Sequence, residues 1–153
     1  DWPRVLAGLR EAEAAVADPD FDLLMVGRRH LRSNNSWMHN SERLTKGRNR
    51  FTVQVHPDDA AARGLADGDL ARVVSVIGGI EVPVEVTDRL MPGVVSVPHG
   101  FGHDRGGAAG RTGWRHAAGL GGASVNDITD STRIDPLSGN AAVQAVPVRL
   151  ERA

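Results

Sequence analysis

Cysteine is absent from this chain of 153 residues. Its absence excludes disulfide frameworks, thiolate zinc sites, iron–sulfur ligation and cysteine nucleophiles within these residues. Long apolar runs are also missing, since no stretch reaches the ~18 to 20 positions that a membrane-spanning helix needs. With 41% hydrophobic and 24% charged residues, the composition is that of one globular domain.

The N-terminus lacks the cationic and apolar regions of a secretion signal, and it lacks a lipidation motif. It starts at Asp1 rather than at Met. We therefore expect a processed or excised piece of a cytoplasmic protein, with no membrane segment.

Net charge is nearly absent, because the formal charge is −1 at pH 7. This near-neutral balance argues against a protein that coats nucleic acid through bulk electrostatics. The charge is unevenly placed, however: residues 23–52 carry a net +6, whereas residues 1–22 and 53–90 each carry −4. A GC-rich genome could explain why Lys46 is the only lysine, but it does not explain this clustering. The pattern predicts a local anion site formed by some of Arg28, Arg29, Arg32, Arg43, Lys46, Arg48 and Arg50.

Periodicity predicts a mainly β fold with short helices. An amphipathic helix is expected over residues 3–16, and a short helix follows the acidic turn Asp58-Asp59. Six or so strands with so few helices favour a closed β-barrel, which leaves no free sheet edge. The expected strands are 21–26, 51–55, 70–77, 80–86, 94–97 and 143–150.

Gly78-Gly79 separates two of these strands and predicts a β-hairpin with a type I′ turn, since both glycines tolerate positive φ. In the second strand Ile80, Val82, Val84 and Val86 alternate with polar residues and should face the core. Pro83 lies on the other face and has no N–H for a ladder, so that face is expected to be exposed or at an edge.

Gly27, Arg28 and Arg29 follow the first apolar strand, and small polar residues including Asn34 and Asn35 come next. Glycine allows close backbone approach, arginine matches phosphate oxygens with its planar fork, and asparagine pairs with heterocycles as donor and acceptor. This set favours a nucleotide-like ligand. The alternative is a pair of arginines that are merely solvated.

The segment His99-Gly100-Phe101-Gly102-His103 opens a glycine-rich stretch, 99–122, in which nine of 24 residues are glycine. Such a stretch is not expected to form a strand or a helix. It is either a mobile surface loop or a loop that becomes ordered around a ligand. The two histidines could contact a ligand or lie exposed in solvent, and zinc binding is disfavoured because the spacing offers no third ligand.

Two later segments, 124–129 and 135–140, are rich in Ser, Asn and Asp and are typical of turns. Asn126 lies in the first of them. The chain has no phosphate-binding loop, dinucleotide-binding glycine motif or nucleophile elbow, and no spacing singles out a catalytic triad.

From about residue 21 to residue 150 the sequence resembles the C-terminal molybdopterin-dinucleotide-binding domain of molybdenum and tungsten oxidoreductases related to formate dehydrogenase and nitrate reductase. The order and spacing of several short motifs carry the resemblance. They are Val26-Gly27-Arg28, His56-Pro57-Asp58-Asp59-Ala60, Gly64-Leu65-Ala66-Asp67-Gly68-Asp69, Val86-Thr87-Asp88, Met91-Pro92-Gly93-Val94-Val95, Asn126 with Ile128-Thr129, and Ser138-Gly139.

The resemblance implies a six-stranded double-psi β-barrel over residues 21–153, preceded by a linker or helix at residues 1–20. It also implies a non-catalytic domain or small subunit that covers bis-molybdopterin guanine dinucleotide, with the Mo or W held by the rest of the enzyme. The implied partner is the upstream catalytic part or large subunit of the same oxidoreductase, not nucleic acid. The residues implied to contact the cofactor are Gly27, Arg28, Arg29, Asn34, Asn35, His99, Gly100, His103 and Asn126.

Two other classes of function stay open. One is a free-standing double-psi barrel that binds another anionic ligand, nucleic acid or a protein, since one fold hosts many functions. The other is a small autonomous hydrolase.

Overall fold

The computed structural model describes residues 2–16, 19–104, 115–135 and 138–153. Six strands close into a barrel in the order β1-β5-β2-β4-β3-β6. This architecture confirms the prediction of a mainly β, six-stranded barrel with short helices. The strands are β1 (Leu23–Arg28), β2 (Val53–Val55), β3 (Leu70–Val74), β4 (Gly79–Val86), β5 (Val94–Pro98) and β6 (Val146–Arg152).

Two pairs of neighbouring strands are parallel, β1 with β5 and β2 with β4, and the other four contacts are antiparallel. Parallel neighbours require a crossing connection rather than a tight hairpin. The chain therefore passes from one side of the barrel to the other between these strands. The register of the first pair sets Gly27 beside Val97 and Arg28 beside Pro98.

The barrel interior is filled by β-branched and other aliphatic side chains from alternate strand positions. In β4, Ile80, Val82 and Val84 are buried as predicted, and Val86 is half-buried. Each such side chain removed from water contributes roughly 1.5–3 kcal/mol. The inward positions of the other strands are Leu23, Met25, Val53, Val55, Ala71, Val73, Val95, Val97, Val146, Val148 and Leu150.

The hairpin between β3 and β4 forms as predicted, but its turn is not the predicted type I′ turn at Gly78-Gly79. Val74 pairs with Gly79, and the N–H of Ser75 donates to the carbonyl of Gly78 at 2.8 Å. The connection is therefore four residues long, and neither glycine has a positive φ. Val76 and Ile77 lie in this turn and are 77% and 51% exposed. The prediction placed them in the strand because they are apolar.

Helices occupy the periphery: α1 (Trp2–Val16), α2 (Glu42–Thr45), α3 (Pro57–Ala62) and α4 (Arg115–Ala118), with a 3₁₀ helix at Val125–Ile128. The first and third confirm predicted helices. The prediction that the glycine-rich stretch 99–122 contains no helix is wrong for α4. The part of that stretch at residues 105–114 lies outside the described residues.

Strand boundaries also differ from the predicted ones. β1 ends at Arg28, two residues later than expected, so Gly27 and Arg28 belong to the strand rather than follow it. β6 starts at Val146 instead of residue 143, because Ala145 has a positive φ of 54° that interrupts the extended chain. Gln144 is thereby placed in a loop.

Candidate functional site

The carboxyl ends of β1 and β5 meet because these strands are parallel neighbours. The N–H of His99 donates to the carbonyl of Arg28 at 3.4 Å, which places the two strand ends side by side. The segment after Gly27 and the segment after Pro98 therefore leave the barrel together. Two motifs that are about 70 positions apart in sequence form one end of the molecule.

A cavity of about 360 Å³ opens at this end of the barrel. We call it the His99 cavity. Five of the nine predicted site residues line it: Gly27, His99, Gly100, His103 and Asn126. The other lining residues are Met25, Phe101, Ser124, Val125, Thr129, Val143 and Gln144.

The lining of the His99 cavity is polar but has no fixed charge. Among the described residues that form it, amide, hydroxyl and imidazole groups alternate with aliphatic and aromatic surface. These groups can both donate and accept hydrogen bonds. The cavity therefore suits a polar heterocycle better than a phosphate group.

His99 is oriented by Asn35, which belongs to the loop after β1. Nε2 of His99 lies 2.8 Å from Oδ1 of Asn35. Because this oxygen only accepts, Nε2 donates in this contact, and Nδ1 is left for a ligand. Asn34 and Asn35 both adopt positive φ, 42° and 64°, so the loop makes a left-handed bend that asparagine tolerates better than most residues do.

Gly100 is required where the two loops cross. Its φ is +88°, and a Cβ at this position would lie 2.6 Å from the carbonyl oxygen of Asn35. Any side chain would push the His99 segment away from the Asn35 loop. The glycine therefore keeps both loops against the same cavity.

Gln144 is a lining residue that the sequence did not reveal. Its Oε1 accepts from the N–H of Gly27 at 2.8 Å, which leaves its amide N–H groups for other partners. The sequence offered no indication of this position, because the apolar pattern of residues 143–150 is that of one continuous strand. Only the left-handed backbone at Ala145 turns Gln144 onto the cavity.

Arg28 lies beside this end of the barrel, but its guanidinium binds the protein itself. Nη2 donates to the carbonyl and the hydroxyl of Thr52 at 2.9 and 3.0 Å, and Nη1 donates to the carbonyl of Ser96 at 3.2 Å. Burial is the main cause that lowers the pKa of Arg28 from its ordinary value, while Glu85 acts in the opposite direction. Arg28 thus ties β1 to β5 and to the residue before β2.

Glu85 completes the polar network around Arg28. Its carboxylate accepts from the hydroxyl of Thr52 at 2.7 Å and from Nε2 of Gln54 at 3.2 Å. Burial alone would raise the pKa of Glu85, but these hydrogen bonds and the charges of Arg28 and Arg48 together hold it below its ordinary value. Arg29, by contrast, is exposed and does not line the His99 cavity.

His39 is a second residue that the sequence did not reveal. It is 1% exposed, and its Nδ1 lies 2.9 Å from Nε2 of His103. Its ring packs on Phe101 with a centroid separation of 4.6 Å. Burial above all, with the nearby His103 adding to it, lowers the pKa of His39 from its ordinary value, although the backbone of Gly100 acts in the opposite direction. A histidine within a polar run gives no hint of a buried pair, because its partner is 64 residues away.

Other depressions have less suitable chemistry. A cavity of about 280 Å³ near Phe21, Ile77 and Ile128 is mostly apolar, and a groove of about 700 Å³ runs along β3 and β4. Neither contains a predicted site residue.

Neither a metal centre nor a membrane span is found in the described parts of the chain. No group of three or more histidine, aspartate or glutamate side chains there could hold a metal ion. No helix there is both long and apolar enough to cross a bilayer.

Residues 23–147 match the family model described as "Molydopterin dinucleotide binding domain". The match covers most of the chain and contains the first five strands of the barrel in full. The chain belongs to the molybdopterin dinucleotide binding domain family. Family membership confirms the resemblance seen in the sequence and assigns a molybdopterin dinucleotide as the ligand.

Individual relatives are much longer proteins. The dimethyl sulfoxide/trimethylamine N-oxide reductase of Rhodobacter capsulatus is 52% identical over 50 residues, which are 33% of this chain and 6% of the relative. A tetrathionate reductase subunit of Salmonella typhimurium is 29% identical over 118 residues, 65% of this chain and 11% of the relative. The matched part of this chain thus covers only 6% and 11% of the length of these two relatives.

Acetylene hydratase from Pelobacter acetylenicus is similar in structure, with a TM-score of 0.66 and 16% identity. The similarity covers 97% of this chain and 20% of the hydratase chain. It supports the barrel fold. The residues of the His99 cavity also fit part of a molybdopterin dinucleotide, because they offer hydrogen-bond donors and acceptors together with apolar surface to a heterocycle.

Proposed function

We propose that this domain covers bis-molybdopterin guanine dinucleotide in a larger molybdenum- or tungsten-dependent oxidoreductase. The observation that carries the proposal is the His99 cavity. Its lining offers hydrogen-bonding groups without fixed charge, which suit the heterocycle of the family's ligand, a molybdopterin dinucleotide. Its volume of about 360 Å³ holds only part of so extended a ligand. The rest of the cofactor would lie against the catalytic part of the same enzyme.

Each lining group has a distinct task toward a pterin. Nδ1 of His99 would accept a hydrogen bond from a ring N–H, since its Nε2 is engaged by Asn35. Asn126 and Gln144 would donate to or accept from the ring edge, while Phe101 and Met25 provide apolar surface. Arg29 and Asn34, both exposed, would reach cofactor groups outside the cavity.

The domain's own contribution is to bind, orient and exclude water. When bound, the cofactor supplies two-electron redox chemistry at its metal, which the rest of the enzyme would hold. The His99 and Asn126 side chains would fix the pterin plane, and the loops after β1 and β5 would keep solvent from it. This domain alone is proposed to catalyse nothing.

Location and connection complete the proposal. Residues 1–20 would link the barrel to the upstream catalytic part, and the enzyme would be cytoplasmic. The exposed apolar side chains of α1, Trp2 at 69% and Leu6 at 39%, support a helix that packs on a neighbouring domain.

The direct test is the composition of the purified parent enzyme. Metal is measured by mass spectrometry, and nucleotide is measured after acid release. We expect two guanine nucleotides for each Mo or W. A nucleotide other than guanine would refute the proposed form of the cofactor, and the absence of any pterin would refute the function.

An Asn126→Ala variant locates the contact. Asn126 is exposed and lies in the 3₁₀ helix, with its N–H donating to Ser124, so loss of its side chain should leave the fold intact. We expect cofactor content to fall several-fold in this variant. The matched control is Asn140→Ala, an exposed asparagine of the 135–140 turn, which should retain full content.

A further inference from the structure

A buried histidine stands behind one wall of the His99 cavity. His39 is 1% exposed, and its Nδ1 lies 2.9 Å from Nε2 of His103, which is half-buried and lines the cavity. The two rings are perpendicular, and their centroids are 5.2 Å apart. We call His39 and His103 the histidine pair. His39 does not line the cavity itself, so any effect that it has on a ligand there passes through His103.

Packing holds the ring of His39 in place. The ring lies against Phe101, another residue of the cavity wall, at a centroid distance of 4.6 Å. The loop that carries His39 follows β1, and the segment that carries His103 follows β5. The histidine pair is therefore a second link between these two segments, beside the contact of Asn35 with His99.

The contact between the two rings limits where the pair can carry its hydrogens. The two nitrogens are within hydrogen-bonding distance, so one hydrogen lies between them. A neutral pair has one further hydrogen, which occupies one of the two outer nitrogens, Nε2 of His39 or Nδ1 of His103. A positively charged pair has a hydrogen on both outer nitrogens. Every protonated form of the pair therefore places a hydrogen on Nε2 of His39.

Nε2 of His39 is an unfavourable position for a hydrogen. It is buried and has no hydrogen-bond partner among the described residues. A buried N–H without an acceptor is costly, because it loses the hydrogen bond that water would accept from it. The neutral arrangement that avoids this cost has Nδ1 of His39 donating to Nε2 of His103, with the second hydrogen on Nδ1 of His103.

The surroundings of His39 oppose a positive charge on the pair. Burial above all lowers the pKa of His39, and positive charge on His103 and on Arg50 lowers it further. The backbone of Gly100 acts in the opposite direction, but it forms no hydrogen bond with Nε2. The neutral form of the pair is therefore favoured at neutral pH.

We propose that His39 is a positioning residue of the cofactor site, which donates from Nδ1 to Nε2 of His103 and so holds that ring against the cofactor with its hydrogen on Nδ1. The inference rests on the proposed function, because it takes the His99 cavity as the site of a pterin. It adds to that function the residue that sets the orientation and the hydrogen of one wall residue. Asn35 does the same for His99 through a direct contact.

NMR of the 153-residue chain with ¹⁵N-labelled histidine, without cofactor, tests the hydrogen positions. The ¹⁵N shifts of an imidazole distinguish a nitrogen that carries a hydrogen from one that accepts. At neutral pH we expect the hydrogen of His103 on Nδ1, and a scalar coupling across the hydrogen bond between Nδ1 of His39 and Nε2 of His103. His99 is the internal control, because its Nε2 should carry a hydrogen. A hydrogen of His103 found on Nε2, or the absence of the coupling, would overturn the proposal.

Two variants separate positioning from packing. His39→Phe keeps an aromatic ring against Phe101 but removes the donor, so the hydrogen of His103 should no longer be confined to Nδ1. His39→Asn lacks the ring but keeps an N–H at the place of Nδ1, so it should restore the hydrogen position of the wild type. An unchanged hydrogen position in His39→Phe would contradict the proposal. If neither variant folds, the spectrum of the wild type still decides the matter.

The effect on the cofactor is measured as its loss from the parent enzyme during dialysis. His39→Phe should speed this loss roughly 2- to 10-fold, the range that one misplaced hydrogen bond implies, and His39→Asn should lie closer to the wild type. His56→Phe is the matched control, because His56 does not line the cavity and contacts Asp58 at the start of α3. No acceleration by His39→Phe, or an equal one by His56→Phe, would overturn the proposal. A wild-type enzyme without any pterin would instead refute the proposed function, which the hydrogen positions do not depend on.

Discussion

Replacing Arg28 by alanine should destabilise the barrel rather than merely weaken a ligand contact. Three hydrogen bonds of 2.9–3.2 Å would be lost between its guanidinium and Thr52 or Ser96. A hydrogen bond from a charged donor contributes about 1.5–3 kcal/mol, but bonds from one side chain are not additive. We expect a loss of about 3 kcal/mol in the free energy of unfolding.

Thermal and urea unfolding of the 153-residue chain measure this loss. For a chain of this size, a change of about 3 kcal/mol lowers Tm by about 6–12 °C. Arg28→Lys should recover only a minor part, because a single ammonium cannot bridge two strands as a planar fork does.

Arg29→Ala is the matched control, since Arg29 is the adjacent arginine and is exposed. Its effect on stability should stay within about 0.5 kcal/mol. An Arg28→Ala chain that unfolds like the wild type would refute the structural role. If the parent enzyme carrying that variant then lost its cofactor, Arg28 would instead be a ligand contact.

Three further predictions concern the loops and the acid–base behaviour. Gly100→Ala should destabilise by about 2 kcal/mol or more in urea unfolding, because φ is +88° and the new Cβ meets the backbone of Asn35. Gly64 also has a positive φ, but a Cβ there would meet no other atom, so Gly64→Ala should lower the free energy of unfolding by only about 1 kcal/mol. Equal losses in Gly100→Ala and Gly64→Ala would contradict the close crossing of the two loops at Gly100. The lowered pKa of His39 contributes stability that is present above about pH 6.5 and is lost as the pH falls toward the lowered value. The Tm of the wild type should therefore drop between about pH 7.5 and 5.5, and the Tm of His39→Gln should drop less. An identical drop in both proteins would disprove this linkage. Glu85→Gln should lower the free energy of unfolding by about 1–2 kcal/mol at neutral pH, because a neutral amide accepts more weakly from Thr52 and no longer attracts Arg28. Urea unfolding measures this loss, and an unchanged urea midpoint would exclude a stabilising role for the network around Arg28.

The barrel could be predicted from the sequence because its signals are local. Alternation in Ile80, Val82 and Val84 indicates which face of β4 is buried, and the acidic residues in the first turn of α3 indicate the start of a helix. The turn at residues 75–78 was mispredicted since apolar Val76 and Ile77 continue the strand pattern in sequence but not in space.

The candidate site was only partly predictable, for a physical reason. Gly27, His99 and Asn126 belong to recognisable motifs, and the parallel pairing of β1 and β5 brings two of them together. His39 and Gln144 join the site through contacts over 64 and 117 residues. No local pattern encodes such contacts.

The direction of a side chain is likewise invisible in sequence. Arg28 and Arg29 are adjacent and chemically identical, yet the first binds Thr52 and Ser96 while the second is exposed. The net positive segment of residues 23–52 predicted an anion site, but the sequence could not show which of its arginines bind the protein and which are exposed.

The most direct test of cofactor binding in the His99 cavity is an experimental structure of the cofactor-loaded parent enzyme. We predict pterin ring atoms within about 3.2 Å of Nδ1 of His99 and of the Asn126 amide, which is the ordinary range of a hydrogen bond. A structure in which the pterin lies outside this cavity, with His99 and Asn126 facing only solvent or protein, would contradict the account.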